Sequence, residues 1–187
     1  MASGLLAPGV PLMFTMPPAL ATPQPSGVRR GTIRDFWVKD RRLWLRRQTT
    51  GEEFNVVYWS DGSLVYASYV QLCYILRDVV DHDTTVEMDI NLLNLMWGMQ
   101  EWARLLGRRE PITTVNSGVR TPGHNANIEG ADPDSQHIYG RAADITMRGL
   151  TLGENARMAK FFGLGAVLRY PTFVHVDTRF ASLGDAR

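Results

Sequence analysis

From Leu43 onward, apolar residues recur first at every second position and then at helical spacing. Leu43 and Leu45 stand two apart, Thr49-Thr50-Gly51-Glu52 forms a polar turn, and Phe54, Val56 and Tyr58 alternate on the return. A period of two marks half-buried strands. Asp61-Gly62 gives a second turn before Leu64-Val65-Tyr66, so a three-stranded meander is expected. The period then lengthens. Ser68 can cap a helix over 69–79, whose Val70, Leu72, Cys73, Ile75 and Leu76 spread as a buried face requires. Asp89 can open a second helix over 90–106, with Leu92, Leu95, Met96, Met99 and Trp102 as its apolar stripe and Gly107 closing it. Met and Trp at that spacing form core, not a cofactor box.

The remaining pattern mixes both periods. Residues 111–116 are β-rich, and 125–129 read as a short helix. Thr151 with Glu154 three residues later forms a capping box for a helix over 151–162. Gly163-Leu164-Gly165 stops it. Strands are expected over 142–146, 166–169 and 173–176. The result is an α+β protein, a single domain with an antiparallel-rich sheet flanked by helices.

Composition narrows the classes. The chain has 187 residues, enough for one domain with a substantial core. A net charge of +1 gives no electrostatic footprint for nucleic acid, which is excluded as the main partner. Cys73 is the only cysteine, so neither an internal disulfide nor a cysteine-based zinc site is possible; it reads as a buried thiol packed as a small hydrophobe. Residues 1–28 contain six prolines and no charged side chain. No stretch there is a membrane span. The segment 1–41 is either a Pro-rich arm or an atypical signal, since Ala19-Leu20-Ala21 has the form of a cleavage site but the basic start is missing. The domain proper is expected over 42–187.

The candidate chemistry lies in two runs, Ser135-Gln136-His137 to Asp144 and Phe173-Val174-His175-Val176-Asp177. Together they contain two imidazoles and a carboxylate, the ligand set of an open catalytic zinc site. His137 and Asp144 are seven residues apart, too far for one helical turn, which suits a loop feeding a strand. Gly140, Ala142 and Ala143 are small and leave room beside the backbone for an ion and substrate. His82, between two aspartates, reads as a charged loop residue.

The S-x-H-x6-D run followed by F-V-H-V-D resembles the zinc D-alanyl-D-alanine peptidase and hedgehog superfamily. Upstream, Ser117-Gly118-Val119-Arg120-Thr121-Pro122-Gly123-His124-Asn125 is similar to its S-G-x-R-[ST]-P-x-x-N element. Arg46-Gln48-Thr50-Gly51-Glu52 and Tyr58-Trp59-Asp61-Gly62 resemble the opening hairpin of the small murein endopeptidases of bacterial envelopes and related phage lysins. The likeness runs from Arg42 to Arg179. It implies Zn2+ as cofactor, with His137, Asp144 and His175 as ligands. It also implies that Arg120 lines the substrate cleft, gripping a carboxylate or carbonyl or stabilising an oxyanion. Ser117 either fixes the arginine turn or reaches a ligand. His124 lines the cleft or starts a helix in solvent. Tyr139 and Tyr170 flank the cleft or pack at its rim. Many relatives carry a histidine two residues before the last ligand; here that position is Phe173. The general base is then open: Asp177 either takes the proton or orients a ligand imidazole, with Asp132 and Asp134 as weaker candidates.

The expected activity is a zinc-dependent peptidoglycan hydrolase that cleaves peptide cross-links or stems, a murein endopeptidase. A D,D-carboxypeptidase and a non-catalytic zinc-containing peptidoglycan-binding module are the alternatives. The expected partner is peptidoglycan and the expected place the periplasm, the envelope or, for a secreted or injected toxin, a rival's wall; that last case would add a delivery system or an immunity protein. A monomer is expected.

Overall fold

The alternating N-terminal pattern folds into strands that start a mixed sheet. The computed structural model describes residues 36–181. Strands β1 (Arg41–Arg47), β2 (Glu53–Ser60) and β3 (Ser63–Leu64) form the expected meander, with Gly51 and Gly62 at positive φ in its turns. Helices α1 (Tyr66–Ile75) and α2 (Ile90–Leu105) follow, then β4 (Thr113–Ser117) and α3 (Pro122–Ala126). β5 (Ala142–Met147), α4 (Leu152–Phe162), β6 (Val167–Arg169) and β7 (Val174–Asp177) complete the order. The seven strands lie in the order β3-β2-β1-β4-β5-β7-β6. The β1–β4 pair is parallel and every other neighbouring pair is antiparallel. This is the α+β architecture expected.

Alternation decides which side chains meet the helices. Leu43, Leu45, Val115, Ala143, Ile145, Val174 and Val176 point to the core, where they join Leu72, Leu92, Met96, Trp97 and Met99. Helix α1 packs on β1 and β2, α2 on β1 and on α4, and α4 on β5, β6 and β7. The opposite face of β5 and β7 therefore carries Asp144, His175 and Asp177. Cys73 is buried as expected, and burial pushes its thiol pKa up.

Several boundaries differ from the sequence reading. Helix α1 starts at Tyr66 with no side-chain cap, before Ser68, and ends at Ile75 rather than Val79. It stops because Arg77 and Asp78 turn to distant partners: Arg77 to Glu52 and Asp83, and Asp78 to Thr121 and His124. Helix α3 lies three residues earlier than the expected 125–129, with Thr121 capping His124 N and Pro122 at the first turn. The capping box of α4 forms as read, and Gly163 ends it in the left-handed region. Phe36 and Trp37, assigned above to the arm, pack on Trp97, and Trp37 also meets Phe162. The arm-or-signal reading of residues 1–35 lies outside the described residues. Among the described residues, no helix is long and apolar enough to cross a membrane.

Candidate metal centre

His137 sits in a tight turn before β5. Ile138 N donates to Ser135 O and Arg141 N to Gln136 O, which turns the imidazole under the sheet. Asp144 and His175 are direct cross-strand partners on β5 and β7, so their side chains leave the sheet side by side. All three are buried: His137 is 1%, Asp144 2% and His175 9% exposed. Their polar atoms converge. His175 Nδ1 lies 2.9 Å from Asp144 Oδ1, His137 Nε2 3.3 Å from the same oxygen, and the two nitrogens are 3.2 Å apart.

The remaining ring nitrogens settle what those atoms are. His137 Nδ1 lies 2.5 Å from Gly118 O, and a carbonyl can only accept, so Nδ1 carries the hydrogen and Nε2 offers a lone pair. His175 Nε2 faces Asp177 Oδ2 at 3.4 Å and can donate to it, which leaves Nδ1, 2.9 Å from Asp144 Oδ1, as the lone-pair atom of the neutral ring. With both rings neutral, three acceptors face one another, an arrangement that a positive charge between them would satisfy. The edges of a tetrahedron with bonds of about 2.0–2.1 Å are about 3.3 Å long, so the donor set fits a divalent ion such as zinc. The local field differs at the two rings. Burial lowers the His137 pKa, keeping the ring neutral. At His175 burial pulls the pKa down, but the Asp144 and Asp177 carboxylates outweigh it and raise it. Burial opposes ionising Asp144, yet the two imidazoles and Arg120 hold its pKa well below the usual carboxylate range.

A ring of partners fixes the donors. Arg120 donates from Nη2 to Asp144 Oδ2 at 2.6 Å and from Nε to Ser117 Oγ at 3.1 Å. Its guanidinium orients the carboxylate ligand candidate and also lines the cleft. Ser117 holds that arginine and is not itself among the cleft-lining residues. Asp177 is fully buried and accepts from Ala166 N at 2.8 Å, Arg179 N at 3.2 Å and Arg179 Nε at 2.7 Å. Those bonds and His175 hold its pKa well below the usual range, although burial opposes it. A carboxylate so saturated lies behind the imidazole, in contact with His175 Nε2 at 3.4 Å.

The cleft above the centre encloses about 520 Å³. Tyr170 and Phe173 stack at its wall, ring centroids 4.8 Å apart, beside Leu168. Glu129 and Asp132 add carboxylates to the lining, and Arg179 a second guanidinium. Two expected cleft residues lie elsewhere. His124 faces Asp78 at 2.8 Å, and Tyr139 donates to Asp134 Oδ1 at 2.8 Å from an exposed position; neither lines the cleft. Gly140 is small for another reason than room for an ion. It has φ 65°, and a Cβ there would stand 2.6 Å from Glu87 O.

Sequence reasoning missed three contributors. Asp78 is a buried carboxylate bonded to Thr121 N at 2.8 Å, pinning the segment that carries Arg120. The Gly118 carbonyl orients His137. Arg179 grips Asp177. For Asp78 and Gly118 no local signal exists, because their partners lie far off in sequence.

A mixed sheet with three buried donors converging under a cleft defines an α+β metallopeptidase domain. The family is specific: residues 36–181 match Peptidase_M15_2, described as peptidoglycan L,D-endopeptidase MepK, and the chain belongs to that family. It is 31% identical over 146 residues to the "Probable peptidoglycan L,D-endopeptidase MepK" of Haemophilus influenzae, covering 75% of this chain and 76% of that protein. To the peptidoglycan L,D-endopeptidase MepK of Escherichia coli K12 it is 27% identical, covering 75% and 78%. The zinc D-Ala-D-Ala carboxypeptidase of Streptomyces albus G is 35% identical over 99 residues, 52% of this chain and 37% of that protein.

Proposed function

We propose that the protein is a zinc-dependent peptidase of peptidoglycan, acting at the cell envelope as an L,D-endopeptidase on peptide cross-links. The observation that carries this reading is the convergence of His137 Nε2, Asp144 Oδ1 and His175 Nδ1 within 3.3 Å of one another at the base of a peptide-sized cleft. Family membership supports the substrate. The three donors would hold the zinc ion, which supplies a Lewis acid to polarise the scissile carbonyl and activate water.

The chain's own residues do the rest. Arg120 keeps Asp144 oriented and ionised. Asp177 keeps the His175 hydrogen on Nε2, so Nδ1 stays a donor atom. Tyr170, Phe173 and Leu168 offer an apolar wall that shields the bond from bulk water. The proton acceptor comes from Glu129 and Asp132, the carboxylates that line the cleft and are not committed to His137 or His175. Digestion of purified cross-linked muropeptides, with and without chelator, tests the reading. Cleavage that stops on chelation and returns with zinc is expected, and His137→Ala should lose stoichiometric zinc. Intact substrate under both conditions, or full zinc in the variant, would overturn it.

A further inference from the structure

Arg179 is held by one edge only. Its backbone N bonds Asp177 Oδ1 at 3.2 Å, and its Nε and Nη2 both reach Asp177 Oδ2 at 2.7 Å. Asp177 is fully buried and tied to Ala166 N and His175, so it gives the guanidinium a fixed mount. The other edge has no partner among the described residues. The side chain is 38% exposed and lines the cleft, and among the described residues its Nη1 makes no hydrogen bond. Asp132 and Asp134 are near enough to help raise its pKa, after the larger effect of Asp177, but neither forms an ion pair with it. Holding a long side chain in one rotamer ordinarily costs entropy when a ligand binds; here folding has already met that cost. A planar fork of donors, charged and preset, selects a carboxylate.

We propose that Arg179 anchors a carboxylate of the substrate, so that the enzyme prefers peptides with a free carboxylate close to the scissile amide. This rests on the peptidoglycan-peptidase reading and names the chemistry its substrate must carry. Of the two guanidiniums in the lining, Arg120 is already bonded to Asp144 and Ser117, which leaves the Arg179 edge as the place for an anion. Stem peptides offer two such groups, the carboxylate on a diamino-acid residue outside the main peptide chain and the α-carboxylate at the stem terminus.

Three cross-linked muropeptides separate the possibilities: one with all carboxylates free, one amidated at the diamino acid, and one amidated at the terminus. Amidation removes charge with little change of shape. The zinc-loaded protein should cleave the free form with kcat/KM about tenfold or more above one of the amidated forms, which identifies the group that is read. In Arg179→Gln that ratio should fall to about one, and in Arg179→Lys, which keeps charge without the fork, to an intermediate value. Damage transmitted through Asp177 to His175 would lower all three rates together and leave the ratio intact, so the ratio isolates recognition. Equal cleavage of all three forms by the unaltered protein, or a ratio retained in Arg179→Gln, would overturn the proposal. Cleavage of none would refute the peptidase reading itself, and the anchor with it.

Discussion

Replacing Gly118 by alanine should disturb the metal centre from behind. A Cβ at Gly118 would stand 2.2 Å from Leu76 O, 2.8 Å from its C and 3.0 Å from its Cα. Ordinary C···O contacts are about 3.3–3.6 Å, so something must move by roughly 1 Å. The obstacle is backbone at the end of α1, with a fully buried side chain, and its carbonyl also accepts Val119 N at 2.7 Å. Overpacking of this kind costs about 1–3 kcal/mol and a weakened hydrogen bond about 0.5–1.5 kcal/mol. A loss near 3 kcal/mol would lower Tm by about 6–12 °C in a domain of this size. The displaced Gly118 carbonyl would also release His137 Nδ1, and loss of such an orienting bond weakens metal binding about 10–100-fold. Calorimetry with and without zinc, plus a competitive zinc titration, reads both effects. Gly123→Ala is the control on the same segment: the nearest atom to its added Cβ is Thr121 Oγ1 at 3.9 Å, so there is room. A Gly118→Ala protein with unchanged Tm and zinc affinity would refute the close approach and the bracing role together.

Two further outcomes follow from the buried carboxylates. Asp177→Asn should reduce zinc affinity by about 10–100-fold, because the carboxylate partner of His175 Nε2 is lost; full zinc retention with abolished cleavage would instead make Asp177 the proton acceptor. Asp78→Asn should cost about 1–3 kcal/mol, since the buried carboxylate accepts from Thr121 N, Val80 N and Asp81 N and meets His124. Burial opposes ionisation of Asp78, but those partners depress its folded pKa. Its contribution is therefore complete above the unfolded value near ~3.9 and fades as pH falls through the lower folded value. Urea melts should show a constant gap between the two proteins from neutral pH to mild acid and a narrowing gap below about pH 4. A gap that widens toward acid would sink this account.

The parts of the molecule that the sequence announces are those whose causes are local. Alternation at Phe54, Val56 and Tyr58 gives β2, and the Thr151–Glu154 pair gives the start of α4, because neighbours within a few residues supply both signals. Thr121-Pro122 is an equally local start signal for α3, a cap followed by proline in the first turn. The end of α1 could not be read, since Arg77 finds Glu52 and Asp78 finds Thr121, 25 and 43 residues away. The same split holds at the centre. Strand periodicity puts Asp177 on the face of His175, but not its distance from the cleft, and only the fold shows that Ala166 N and Arg179 occupy its oxygens. Resemblance supplied the His137, Asp144 and His175 set. It did not supply the Asp78 brace or the Arg179 edge.

The direct opposition of Asp144 and His175 across β5 and β7 has a consequence for how the chain reaches its final form. A slide of one position between these two strands would carry one of the pair to the helix-covered side and bury an ionisable group among Ile145, Val174 and Val176. An ion bridging both would bind only the correct alignment, and so would act as a proofreader of strand pairing during refolding, discarding near misses that backbone bonding alone tolerates.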